Sequence, residues 1–333
     1  MLGNAIRPYF LERFQHLLAT DFVISEPWME MLDVRNTDQL ETVFRDMKPT
    51  LVLHLAACTD LEFCEVNPDI AEKTNATATG KIAALCEQHS ATLVYISTAG
   101  VFDGVKDGYY TEDDEASPTM VYGHTKLEGE RLVRANCSRH FIVRAGWMVG
   151  GGIHKDKKFV HHILGQVVAG AKTIRAVNDL WGTPTYTHDF ALNLFHLLAS
   201  RKYGLYHMVC EGSGTRYDVA REILDICGCA DIELLPVESS YFKERFFVPR
   251  PRSEMMINAN LQAIGLNFMR PWKDALRDYI GAEFSHAKTG AEASGERRLR
   301  EERRRTKHSW KGPDRRHDDG RRAIDASQTP DPD

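Results

Sequence analysis

Tyr122 and Lys126 stand four residues apart, and on a helix that spacing puts both side chains on one face. An ammonium beside a phenol stabilises the phenolate and draws the tyrosine pKa toward working pH, as a general acid–base tyrosine requires. Upstream, Ser97 and Thr98 close an apolar run, and a hydroxyl there can hold a substrate oxygen and share its proton. Of the 11 tyrosines only Tyr122 has a lysine four residues on. The pattern alone is weak, so its weight comes from the elements around it.

Those elements alternate. Residues 50–56, 92–97 and 141–145 read as short buried strands, and 38–47, 69–89 and 122–136 have helical spacing, with Asp38 and Asp69 as starts, the latter just after Pro68. Gly204–Val209 reads as a further strand and 15–21 as an early one. Strand, helix, strand repeated predicts α/β architecture, a doubly wound parallel sheet with helices on both faces. Ligands of such sheets bind at the carboxyl ends of the strands. Ala57-Cys58-Thr59-Asp60 and the stretch from Thr98 to Gly104 follow two of those ends, and the Tyr122 helix follows the second.

Composition sets the outer limits. Of the 333 residues 43% are hydrophobic and 27% charged, which excludes collagen, a coiled coil and a wholly disordered chain. No apolar run reaches membrane-span length, and Met1-Leu2-Gly3-Asn4 lacks the regions of a signal peptide, so the expected setting is cytoplasmic, without membrane contact. Seven scattered cysteines suit reduced thiols. Neither Cys227 with Cys229 nor His161 with His162 has partners at metal-ligand spacing, and no metal is expected. The net charge of −5 divides unevenly, with 13 Lys+Arg against 10 Asp+Glu from His286 on and 29 against 37 before it. The Arg-rich stretch 285–333 has almost no aliphatic residues and is predicted to be a disordered basic tail. Its Arg pairs leave nucleic-acid binding open, but a solvated tail is the expected state.

Residues 1–284 resemble the extended short-chain dehydrogenase/reductase superfamily, and more closely its dTDP-4-dehydrorhamnose reductase family. The resemblance rests on Leu32-Asp33-Val34-Arg35-Asn36, on His54-Leu55-Ala56-Ala57-Cys58-Thr59-Asp60, on Asn75, and on Ser97-Thr98-Ala99-Gly100-Val101-Phe102-Asp103-Gly104. It continues through Tyr122-Gly123-His124-Thr125-Lys126, Arg144-Ala145-Gly146-Trp147, Gly182-Thr183-Pro184-Thr185 with Asp189, and Arg250-Pro251 before Ser253. It implies a Rossmann-type NAD(P)-binding domain (1–150 plus about 186–210) and a smaller α+β substrate domain (about 151–185 plus 211–284). It implies reduction of the 4-keto group of a nucleotide-linked deoxy sugar. Thr98, Tyr122 and Lys126 match the catalytic set: Tyr122 gives the proton, Lys126 binds the nicotinamide ribose and lowers the Tyr122 pKa, and Thr98 orients the carbonyl. Gly3, Asp21, Asp33, Val34, Ala56, Ala57, Cys58, Asn75 and Ser97 would also attend the cofactor. Thr59, Ala99, Gly100, Val101 and Trp147 would face the substrate with Thr98. A homodimer is compatible with this reading.

The chain departs from the family's pattern twice. The family's Gly-x-x-Gly-x-x-Gly turn follows the first strand and offers backbone N–H groups to the cofactor pyrophosphate. Here only its third glycine, Gly3, is present, without the first strand, and a start codon assigned too late is the favoured explanation. Ala99-Gly100 stands where the family usually has Asp-Tyr, which opens the identity of the sugar. Asp21, at the end of the early strand, would hydrogen-bond the adenosine ribose and repel a 2′-phosphate, favouring NAD(H), while Arg35 leaves NADP(H) open. Two other readings remain: an epimerase or dehydratase of the superfamily, and a non-catalytic regulatory relative like the beta subunit of methionine adenosyltransferase. The truncated turn makes a direct prediction. In a fluorescence titration NADH should bind this chain poorly, and should bind well to one lengthened upstream by about ten residues, enough for a strand and its turn. Equal, tight binding by both would remove the truncation from the account.

Overall fold

The computed structural model describes residues 1–151, 155–156 and 158–284. Four strands form the main sheet in the order Gly204–Met208, His140–Ala145, Thr92–Thr98, Leu51–His54, every pair parallel. Leu93, Val94, Tyr95, Phe141, Ile142 and Val143 are almost fully buried, as expected when helices cover both faces. Alternate residues face opposite layers. Leu93, Tyr95 and Ile142 pack with Ile82, Cys86 and Val133 of the helices Ala78–Gln88 and Val121–Asn136. Val94, Phe141 and Val143 join Ile6 and Phe10 of the helix Leu2–Leu11, and Phe190 and Leu194 of Thr187–Ser200.

Local chemistry corrected several predicted boundaries. The second helix runs Thr37–Met47 and is capped by Asn36, whose side chain accepts from the Gln39 N–H, so Asp38 lies in the first turn and complements the helix dipole. The helical pattern over 69–89 runs unbroken from Pro68 to Gln88, but its hydrogen-bond pairing changes midway. It divides into Pro68–Glu72, with Pro68 where no donor is needed, a wide turn at Lys73–Thr77, and Ala78–Gln88. Thr74 and Thr79 donate to the carbonyls of Ile70 and Asn75, competition that loosens helical pairing there. The early strand shrinks from 15–21 to Ala19–Asp21, because it pairs only with Met29–Met31 and not with the main sheet. Between that pair and the edge strand Leu51–His54 the parallel array is interrupted, and Leu51, Val52 and Leu53 are only half-buried. The tail expected to be disordered lies outside the described residues.

Smaller sheets follow residue 146. Trp147–Val149 pairs with Pro184–Tyr186, and Thr173–Val177 with Glu233–Val237. Trp181–Gly182 lies between Gly214–Thr215 and Ser253–Glu254. No described helix is long and apolar enough to cross a membrane.

One ion pair ties the sheet to the helix that carries Tyr122. Glu130 is fully buried and takes hydrogen bonds from Arg144 at 2.8 and 2.8 Å, from Arg134 at 3.0 Å, and from the Ser97 hydroxyl at 2.6 Å. Arg144 holds its carboxyl below the usual range against the opposing effect of burial. Arg144→Met strands that carboxylate and should cost about 3–5 kcal/mol in urea unfolding, whereas adding Glu130→Leu should recover most of the loss. Equal losses in the single and double variants would deny the pair its structural role.

Candidate active site

The strand Thr92–Thr98 delivers Ser97 and Thr98 at its carboxyl end, and the short turn Ala99–Val101 begins there, with the Gly100 N–H donating to Thr98 Oγ1 at 3.1 Å. The helix Val121–Asn136 starts against that turn. A Cβ on Gly123 would come 2.1 Å from the Gly100 carbonyl, so any side chain there would lift the helix start off the turn. Within the helix Tyr122 and Lys126 share a face, as their spacing predicts.

Asn75 locks this helix to the loop after Leu51–His54. Its Oδ1 accepts from the Cys58 N–H at 2.8 Å, and its Nδ2 donates to the Cys58 carbonyl at 3.0 Å and to Thr125 Oγ1 at 3.1 Å. Thr125 in turn donates to the Tyr122 carbonyl at 3.0 Å. With no exposure and each polar atom engaged, Asn75 acts here as a clamp beneath the loop.

A cavity of about 1880 Å³ opens over these elements. Of the residues singled out from sequence, Gly3, Asp21, Val34, Ala56, Ala57, Thr59, Ser97, Thr98, Tyr122, Lys126 and Trp147 line it. Asp33, Cys58, Asn75, Ala99, Gly100 and Val101 do not line it. Asp33 is engaged by Arg35, whose Nη2 reaches Oδ2 at 2.7 Å and holds the carboxyl below its usual range. The sequence did not single out Arg216 or Glu254, which also line the cavity. Arg216 opens the helix Arg216–Cys227 inside its Thr215–Asp218 capping box, and its guanidinium stacks 3.8 Å from the centre of the Trp147 ring. The Trp147 indole N–H donates to Glu254 Oε2 at 2.7 Å. No spacing rule joins residues so far apart in the chain; only the short strand pairings bring them together.

Burial governs the titration of the pair. It pushes Tyr122 up to about 12, offset in part by the Thr98 hydroxyl and reinforced by the Glu254 carboxylate. It pushes Lys126 down to about 7, against the pull of Glu130. The expected lowering of the Tyr122 pKa by Lys126 is thus absent from this state of the protein, in which loss of hydration outweighs any help from the ammonium. Lys126 Nζ sits 4.0 Å from the centre of the Tyr95 ring and has no hydrogen-bond partner among the described residues. Its donors are therefore free for hydroxyl groups in the cavity, and a nicotinamide ribose suits them. Among the described residues no cluster of His, Cys, Asp and Glu could hold a metal.

Residues 1–284 match the model of the family described as RmlD substrate binding domain. The chain belongs to this family. The dTDP-4-dehydrorhamnose reductase of Mycobacterium tuberculosis is 34% identical over 239 residues, which cover 70% of this chain and 76% of that protein. The crystal structure of dTDP-4-dehydrorhamnose reductase from Yersinia enterocolitica superposes with a TM-score of 0.76 at 32% identity, covering 84% of this chain and 95% of that one. That of the Bacillus anthracis enzyme in complex with NADP gives 0.69 at 28% identity, covering 76% and 89%. As an RmlD-family member the chain is an NAD(P)-dependent oxidoreductase, built on the parallel α/β fold expected from its alternating strands and helices.

The buried lysine makes a stability prediction. Its folded-state pKa of about 7 lies below the ordinary 10.5, so burying the ammonium costs stability in full below pH 7 and progressively less as pH rises toward 10.5. Lys126→Met removes that cost. The melting temperature of the variant minus that of the wild type should therefore fall as pH rises from 7 to 10. A pH-independent difference would mean that the ammonium keeps its hydration.

Proposed function

We propose that this protein reduces the 4-keto group of a nucleotide-linked deoxy sugar, with NAD(P)H as reductant. The convergence of Thr98, Tyr122 and Lys126 on one cavity at the carboxyl ends of parallel strands carries this reading. The bound dihydronicotinamide supplies hydride to the carbonyl carbon. Thr98 Oγ1 holds the carbonyl oxygen, and Tyr122, which burial keeps protonated at neutral pH, donates its proton to the alkoxide as it forms. Lys126 orients the ribose through its free donors. The described residues within 151–185 and 211–284 supply the sugar-nucleotide side of the cavity. There Arg216 is a cation at a helix N-terminus, an unfavourable position for positive charge unless an anion is to be bound, and Lys158, Arg175, Lys243, Arg245 and Arg250 extend the positive wall. A diphosphate fits that wall.

For the cofactor the reading favours NADH. Asp21 is exposed at the carboxyl end of its strand, on the cavity, where a carboxylate repels a 2′-phosphate. Arg35, the cation that would welcome one, is engaged by Asp33. A cytoplasmic setting and self-association as a homodimer accompany this reading, and the Arg-rich tail plays no part in it.

The deciding experiment supplies dTDP-4-dehydrorhamnose with NADH or NADPH and follows cofactor oxidation. Wild-type protein should turn over faster with NADH at limiting cofactor. Tyr122→Phe should bind the cofactor as before yet lose about 10²–10⁴ in turnover, the span of a general acid. Undiminished turnover by Tyr122→Phe would end the assignment of the proton donor.

A further inference from the structure

Glu254 is an acid that faces Tyr122 across the Gly100 turn. It is placed there by the strand Ser253–Glu254, paired in parallel with Trp181–Gly182. A Cβ placed on Gly100 would lie 3.5 Å from Thr98 Oγ1, 3.6 Å from the Tyr122 ring at Cδ1, and 3.6 Å from Glu254 Oε1. One point in space therefore touches the carbonyl-holding hydroxyl, the proton donor's ring and the carboxylate. Gly100 leaves that point free, and Asp103, the other polar side chain of the loop, is engaged by the Tyr110 hydroxyl.

The carboxylate is held but not saturated. Oε2 is engaged by the Trp147 indole, and the ring of Trp147 is itself pinned under Arg216. Among the described residues Oε1 has no hydrogen-bond partner, and no cation pairs with Glu254 within salt-bridge distance. Arg216 and Arg250 act on it only through space, and Arg250 directs its guanidinium to Glu62 at 2.7 Å. A carboxylate removed from bulk water needs donors for its lone pairs. The side on which Oε1 is open is the cavity, next to the position the reacting carbonyl must occupy. On a pyranose ring, oxygens on adjacent carbons are about a hydrogen bond's length apart, so a hydroxyl beside the carbonyl comes within reach of Glu254 when the carbonyl oxygen rests on Thr98 and Tyr122.

We propose that Glu254 contacts the substrate and sets its specificity, Oε1 accepting a hydrogen bond from a hydroxyl on the ring carbon adjacent to the carbonyl being reduced, with Trp147 and Arg216 holding the carboxylate in place. This rests on the reductase reading of the same cavity and adds a substrate class: keto sugars that keep the hydroxyl at C3 beside the C4 carbonyl. A sugar lacking that hydroxyl leaves the carboxylate unpaired in the closed site and is rejected for that reason.

The test compares a nucleotide-linked 4-keto-6-deoxy sugar with its 3-deoxy analogue, using wild type, Glu254→Leu and Glu254→Gln, with NADH affinity measured alongside to report the integrity of the fold. Wild type should prefer the hydroxylated sugar by about 10²-fold or more in kcat/KM. Glu254→Leu should bring the two sugars nearly level while binding NADH as wild type does. Glu254→Gln can keep the Trp147 bond through its amide oxygen and should retain only part of the preference, which keeps the question answerable if the leucine variant fails to fold. Full preference in either folded variant, or equal use of both sugars by wild type, overturns the proposal and leaves the reductase reading intact. Reduction of neither sugar by wild type overturns the reductase reading, and the proposal falls with it.

Discussion

The buried carboxylate of Glu130 is the interaction on which the site depends. It lies one helical turn beyond Lys126, accepts from the strand residues Ser97 and Arg144, and so joins the Tyr122 helix to the strand ends where substrate must bind. Arg144 extends the support, with its guanidinium 5.1 Å from the Phe102 ring, which stacks on Tyr110, whose hydroxyl donates to Asp103. The loop carrying Thr98 to Gly104 is thereby braced from below. Such a pair adds little net stability, because two charges have left water for it. Its value is geometric: the helix cannot turn or slide without unpairing a charge, so the distance between Thr98 and Tyr122 is held.

Charge in the cavity is divided by task. One side of it is lined by cations, among them Arg216, whose burial lowers its own proton affinity to about 10, still well above neutrality. The catalytic end is nearly neutral, with a tyrosine whose proton is tightly held and a lysine poised near neutrality. Glu254 is the exception, an acid set between the two regions and bonded to the tryptophan that separates them.

The interrupted sheet bears on the cofactor side. Leu51–His54 offers one edge to Thr92–Thr98, while its other edge faces the cavity, and the pair Ala19–Asp21 with Met29–Met31 stands apart from it. Unpaired strand edges are adhesive, and an edge with half-buried Leu51, Val52 and Leu53 beside it is a place where this protein gains from being covered. The helix Leu2–Leu11 holds its register despite this, because Ile6 and Phe10 are anchored in the core beneath Thr187–Ser200 rather than on the sheet edge.

The sequence by itself determined what depends on short range. Periodicity marked the strands 92–97 and 141–145 within a residue or so of their observed bounds, and the Tyr122–Lys126 spacing put both side chains on one helix face, because both follow from the repeat of a strand or helix. It overextended the strand at 15–21 and ran the helix 69–89 through the wide turn at Asn75, because strand length depends on a partner strand and that turn on hydroxyl bonds to nearby carbonyls. The tertiary structure alone decided the electrostatics. The pKa values of Tyr122 and Lys126 follow from burial that no spacing encodes, and the direction for Tyr122 opposes the expectation drawn from proximity alone. It also decided which distant residues share the cavity: Arg216 and Glu254 meet Trp147 because Trp181–Gly182 pairs with strands on either side. Side-chain chemistry can be read along a chain, but hydration and long-range neighbours arise only when the chain closes on itself.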